Sequence, residues 1–443
     1  MRKKQLPLYI FLGIAVVVLL LVVVGIYSQK TTPLTITFYP QDGYATPWLQ
    51  FSIQFSEPVN HQAAEAAISI DPFVSGEFFW NENVVTFKSQ NPLRYGELFN
   101  ISITEFTDAE NKLSLSKTET NQAKIREANI MYTSILDGSI YISDLYQNTF
   151  QLPSDTVILE LIPSYDGRYF VSLTQITPTD TQVIVQFSQD HSIFSIYQCP
   201  EQNICSNLVV SPNSLHFLVL DYSRVTNQTS VILVDIEAAS STPILTVPGI
   251  LLDKPVWSNQ GDQFALFSPS ENKVIVTNID NSEQAVYEKE EVTLGAWSPD
   301  DSKIYNRHTH RDVTSTYSHL CVLDLQTGEF SPIENEGLPN GQYSAPLLIP
   351  GTTLLLFSKQ AITGENTSQL WLYDFANNTV SQITDNPSYA HGNFHADVSG
   401  TFIVYQRIDV TKSDSTPEIW MWNLETNEST LIASAAVNPQ WLQ

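Results

Sequence analysis

The sequence predicts an all-β protein in three parts: an N-terminal transmembrane helix, a β-sandwich, and a seven-bladed β-propeller. Three observations carry this expectation. An apolar run of about 20 residues extends from Leu8 to Tyr27. Alternating strands fill residues 30–118. From residue 140 onward one phrase, a few apolar residues followed by Asp or Asn and another apolar residue, returns at intervals of about 37 to 54 residues. A period in that range, with units rich in β-branched and aromatic residues, is the signature of four-stranded blades around a central channel.

Residues 1–29 read as a short cytoplasmic stub and an anchor. Gln5 to Gln29 carry no charge. At ~1.5 Å per helical residue the apolar run spans a hydrocarbon layer of ~30 Å. Val24-Gly25-Ile26-Tyr27-Ser28 contains no small-x-small cleavage site, so a retained anchor is expected rather than a removed leader. Arg2, Lys3 and Lys4 precede it, and the positive-inside rule then places the bulk of the chain outside the cytoplasm.

Residues 30–118 carry strands such as Leu34-Thr35-Ile36-Thr37-Phe38, Leu49 to Phe55 and Val84-Val85-Thr86-Phe87. Strict alternation gives each strand one buried and one wet face, as a β-sandwich requires. The run Phe55-Ser56-Glu57-Pro58-Val59, then Trp80, Leu93, Gly96, and Asp108 with Asn111 and Leu113 resembles the bacterial Ig-like domains of cell-envelope proteins. The resemblance implies a spacer or adhesion module. The polar stretch 119–129 is expected to be a linker, with a short helical stretch inside it.

Residues 130–443 form the propeller. The phrases end on Asp144, Asp235, Asn278, Asp324, Asp374 and Asn423, and a weaker copy, Phe194 to Gln198, makes the seventh. Each is preceded by a turn rich in Ser, Pro, Asp, Asn and Gly, for example Ser211-Pro212-Asn213-Ser214 and Ser298-Pro299-Asp300-Asp301. Trp257 and Trp297 stand just before two of these turns, and Trp441 repeats the pattern at the end of the chain without a hairpin after it. Three strands from Ile130 to Leu152 lack an inner strand, so the last strand is expected to pair with Ile130 to Ser134 and close the ring. The 314 residues divide into about 45 per blade, with six and eight blades as alternatives. Pro255-Val256-Trp257-Ser258 and Ala296-Trp297-Ser298-Pro299-Asp300 resemble the repeats of TolB-like and WD-type propellers. That resemblance implies fold far more than activity.

The chain carries 21 basic and 47 acidic residues; setting aside Arg2, Lys3 and Lys4 leaves 18 basic residues and about 29 net negative charges. Such a field repels phosphate backbones, so no nucleic-acid partner is expected. Cys199 and Cys205 read as a small-loop disulfide of an oxidising compartment, and Cys321 as an inert core thiol. No Gly-x-Ser-x-Gly elbow, His-Glu-x-x-His helix, phosphate loop or Cys-x-x-Cys pair is present. No catalytic residue is therefore assigned, and no cofactor is expected, a divalent cation such as calcium being the alternative. His391 and His395 are the candidate metal pair, although a straight strand would hold them about 13 Å apart. His308, His310, Arg311, Asp312 and His319 read as a solvated hairpin loop. The expectation is a membrane-anchored, extracytoplasmic binding protein whose propeller meets an envelope protein or polysaccharide. The alternative is a carbohydrate-active hydrolase or lyase with its site in the funnel.

Overall fold

A computed structural model of the chain describes residues 32–442 except 40–42, 91, 109–112, 153–156, 178–179, 188–191, 252, 281–283, 312–314, 339–340 and 362–366. The expected transmembrane helix is not found among the described residues: no helix there is long and apolar enough to cross a membrane, and the run Leu8 to Tyr27 lies outside them. The fold is all-β, in two compact units that meet in sequence at Arg126 and Glu127. Its one helix among the described residues is His61–Ala67, capped by Asn60, whose side chain accepts the Ala63 amide at 3.0 Å.

The N-terminal unit is built on two four-stranded sheets. One sheet orders Ile36–Tyr39, Gln50–Phe55, Val84–Ser89 and Gly76–Asn81; the other orders Tyr44–Ala45, Glu119–Ile125, Leu98–Ile103 and Ile68–Asp71. Alternation turns Phe51, Ile53, Phe55, Val85 and Phe87 of the first sheet toward Phe99, Ile101, Ile103 and Ile125 of the second, in a single core. The expected linker at 119–129 is corrected here. Glu119–Ile125 is a central strand, antiparallel to Leu98–Ile103 and parallel to Tyr44–Ala45. Its exposed polar residues alternate with Ala123 and Ile125, so only pairing reveals it.

Among the described residues the second unit shows seven blades. Blade 1 spans 157–198, blade 2 spans 203–248, blade 3 spans 256–288 and blade 4 spans 292–332. Blade 5 covers 347–382 and blade 6 covers 389–434. Blade 7 takes its inner strand, Ala436–Leu442, from the end of the chain and its outer strands, Asn129–Ser134, Ile140–Ser143 and Thr149–Gln151, from the start of the unit. The register places Trp441 opposite Ile130, and Ala436–Leu442 also neighbours the inner strand of blade 1, so the ring closes. Gly341–Tyr343 pairs on both sides and joins blades 4 and 5 into one continuous sheet.

The weak phrase at Phe194 to Gln198 is misplaced in the repeat. Phrases in the other six blades lie on third strands, whereas Ile193–Gln198 is the outermost strand of blade 1, and its third strand is Thr181–Phe187. Cys199 and Cys205 are disulfide-bonded with Cα atoms 6.2 Å apart. Cys205 belongs to the inner strand of blade 2, and the bond ties it to the end of blade 1.

Candidate functional site

The seven inner strands surround the channel, and most of them are kinked at the same level. Pairing slips by one residue near Glu160 in blade 1, between Ser206 and Val209 in blade 2, Leu294 and Ala296 in blade 4, and Gly392 and His395 in blade 6. The closing strand of blade 7 slips as well. Asn207, Asn393 and Asn438 take left-handed backbone angles at this level, with φ of 56°, 45° and 55°. Asn tolerates that region better than most residues. A bulge bends the strand and re-aims side chains, and polar residues occupy this level in blades 1, 2, 3, 6 and 7: Glu160, Asn207, Lys254, Asn393 and Asn438.

This polar belt is stitched across the channel. Lys254 Nζ of blade 3 meets Glu160 Oε1 of blade 1 at 2.6 Å, and Glu160 Oε2 accepts the Leu208 amide of blade 2 at 3.1 Å. Asn393 of blade 6 donates to Asn438 of blade 7 at 3.3 Å. His395 is open to water from the channel while protein crowds its other sides; that crowding, with the Lys254 charge, holds its pKa down at about 4. Asp253, beside Lys254, has its carboxyl pushed up by the same crowding, partly countered by the Arg307 guanidinium. Arg307 itself is engaged, donating to Tyr343 O at 3.1 Å and to Thr293 Oγ1 at 2.6 Å.

The expected metal pair is separated. The bulge after Gly392 reverses the alternation, so His391 is buried with its ring against Tyr389 and Tyr405 while His395 is exposed. His391 Nδ1 lies 3.3 Å from Ser368 O, and burial lowers its pKa to about 4. The two side chains therefore lie on opposite sides of the strand.

The repeat residues have structural tasks. Asp144, Asp324, Asp374 and Asn423 each accept backbone amides two to four residues ahead, closing the turn to the fourth strand. Asp235 does so through the Ala238 amide at 2.9 Å. Asn278 ends the corresponding third strand of blade 3. Ser164, Ser211, Ser258 and Ser298 each accept the amide five residues on, at 3.1, 3.0, 3.1 and 3.0 Å. Trp257, Trp297 and Trp441 donate their indole N–H to Val209, Val256 and His395 carbonyls of the preceding inner strand, at 3.0, 3.0 and 2.9 Å.

Glu160, Lys254, Asn207, Asn393 and Asn438 are absent from the residues singled out on sequence. A signal for them exists. Each lies three positions before the residue that is Trp in blades 3, 4 and 7, so aligning the blades on their turns brings these polar residues to one column.

No family model matches the chain, and no curated protein matches it. Solved structures do. The β-propeller domain of the Trilobed protease from Pyrococcus furiosus, described as having an open velcro topology, aligns with 14% identity over 78% of this chain and 97% of that one, at a TM-score of 0.52. Acylaminoacyl peptidase from Pyrococcus horikoshii aligns with 14% identity over 77% of this chain and 51% of its own length, at 0.51. TolB from Acinetobacter baumannii aligns with 11% identity over 86% of this chain and 84% of its own, at 0.43. At these identities the likeness shows the β-propeller fold and nothing about activity.

Proposed function

We propose that the chain is an extracytoplasmic binding protein: a bacterial Ig-like sandwich serves as spacer, and the propeller engages a protein or polysaccharide of the cell envelope. The observation that carries this reading is the pairing of Glu160 with Lys254 across the channel. A hydrolase or lyase needs a carboxylate or imidazole positioned to move a proton to or from substrate, and Glu160 instead has one oxygen on Lys254 and the other on the Leu208 amide. The Cys199–Cys205 bond supports an oxidising compartment.

The test is to incubate the full chain with purified envelope polysaccharide and with envelope protein extract immobilised separately. Saturable retention on one of them, with no soluble saccharide released, is the expected outcome. Release of product that stops in Glu160→Gln would replace this reading with the carbohydrate-active enzyme, and absence of both retention and release would reject it.

A further inference from the structure

Blade 4 carries a side-chain cluster that the expected solvated loop does not describe. Its strands Lys303–Arg311 and Thr316–Asp324 are antiparallel, with His308 opposite His319 and Asn306 opposite Cys321. The two-residue period of a strand therefore puts Asn306, His308, His310, His319 and Cys321 on one face. Ile304 and Leu323, on the same face, pack with Val274 and Val276 of blade 3, so the cluster lies at the blade 3 side of the hairpin. Asp312 lies outside the described residues.

We propose that His308, His319 and Cys321 bind a thiophilic first-row metal ion of the Zn2+ class, with His310 packed against both imidazoles. One ligand atom from each of the three lies within 4.8 Å of the others. Bonds of about 2.0 Å to nitrogen and 2.3 Å to sulfur place tetrahedral ligand atoms about 3.3–3.6 Å apart, a closure that small side-chain rotations supply. His310 is 4.3 Å from the His308 ring and 4.7 Å from the His319 ring, centroid to centroid. The donor set is nitrogen and sulfur, which suits zinc and disfavours calcium and magnesium.

Three further features fit. The Glu290 backbone lies beside the His308 ring, the kind of second partner that orients a metal-binding imidazole. Cys321 is buried and His308 and His319 are half-buried, so the three donors are partly shielded from water. Asn306 is fully buried beside Cys321, and its Oδ1 has no hydrogen-bond partner. A thiol binds a metal as its thiolate, so the metal must displace the Cys321 proton. The balance is one S–H bond broken, one metal–sulfur bond formed and one proton passed to solvent.

The experiment uses the full chain stripped with chelator and titrated with Zn2+ and, as a spectroscopic probe, Co2+. Cys321 is the free thiol, the other two cysteines being bonded to each other, so a thiolate-to-cobalt charge-transfer band reports on this site. The expected result is one Zn2+ per chain with release of about one proton, and a cobalt band lost in Cys321→Ser. His308→Gln and His319→Gln should each weaken binding by about tenfold or more while leaving the circular dichroism unchanged, and His391→Gln should leave binding intact. If Cys321→Ser does not fold, the two His variants decide. A folded chain without the cobalt band, or Zn2+ binding unaltered in both His variants, overturns the proposal.

Discussion

Trp297 shows how one residue fastens two blades. Its ring is 2% exposed, packed among Val274, Val276, Val292 and Ile304, while its N–H reaches the Val256 carbonyl one blade back. Replacing it with Phe keeps most of the apolar contact and strands that carbonyl, which should cost about 1–2 kcal/mol. Trp297→Ala adds a cavity and should cost about 3–5 kcal/mol. Urea unfolding of the full chain measures both, and an unchanged midpoint for Trp297→Phe would remove the hydrogen bond from the account. The Trp column was legible in the sequence because it recurs beside a turn. Its partner was not, because the accepting carbonyl belongs to a different blade. His391 and His395 illustrate the same divide: their spacing is plain, yet one bulge sends them to opposite sides of the strand.

At the scale of elements, the turns between first and second strands reach one another around the ring. Asn213 of blade 2 donates to Gln260 O of blade 3 at 3.1 Å. Asn259 of blade 3 meets Asp301 of blade 4 through its backbone amide at 2.9 Å and its side-chain amide at 2.6 Å. Asn259→Ala and Asp301→Ala, made singly and together, should be non-additive by about 0.5–1 kcal/mol, read from denaturant midpoints. Strict additivity would mean that the two turns do not support each other. The residue types of these turns announced tight connections. Strand order within a blade was less legible, as Phe194 to Gln198 shows, because third and fourth strands have similar apolar patterns and only pairing ranks them. Glu119–Ile125 escaped for a related reason: an edge of polar residues reads as a linker until Leu98–Ile103 takes its hydrogen bonds.

For the whole molecule, closure depends on the last strand. Ala436–Leu442 pairs with Asn129–Ser134 on one side and packs against blade 6 through Phe402, whose ring lies 6.2 Å from that of Trp441. Deleting residues 437–443 exposes the sheet edge of Asn129–Ser134 and removes a buried Trp worth several kcal/mol by area. The propeller transition in calorimetry should fall sharply and aggregation should rise, while the N-terminal unit, with its own core, keeps its transition. An unchanged propeller transition would show that the ring holds without its closing strand.

The sequence by itself determined the blade repeat, its turns, the mixed-terminus closure and the alternating strands of the N-terminal unit. All of these are periodic, and periodicity is a local property that a chain displays before it folds. Tertiary structure alone decided the polar belt and the histidine–cysteine cluster. Glu160 and Lys254 are 94 positions apart, and they meet only because a closed ring brings blades 1 and 3 to the same channel. His308, His319 and Cys321 look like a loop and a core residue in the sequence. Antiparallel register makes them neighbours, with Cys321 buried and the two imidazoles half-buried.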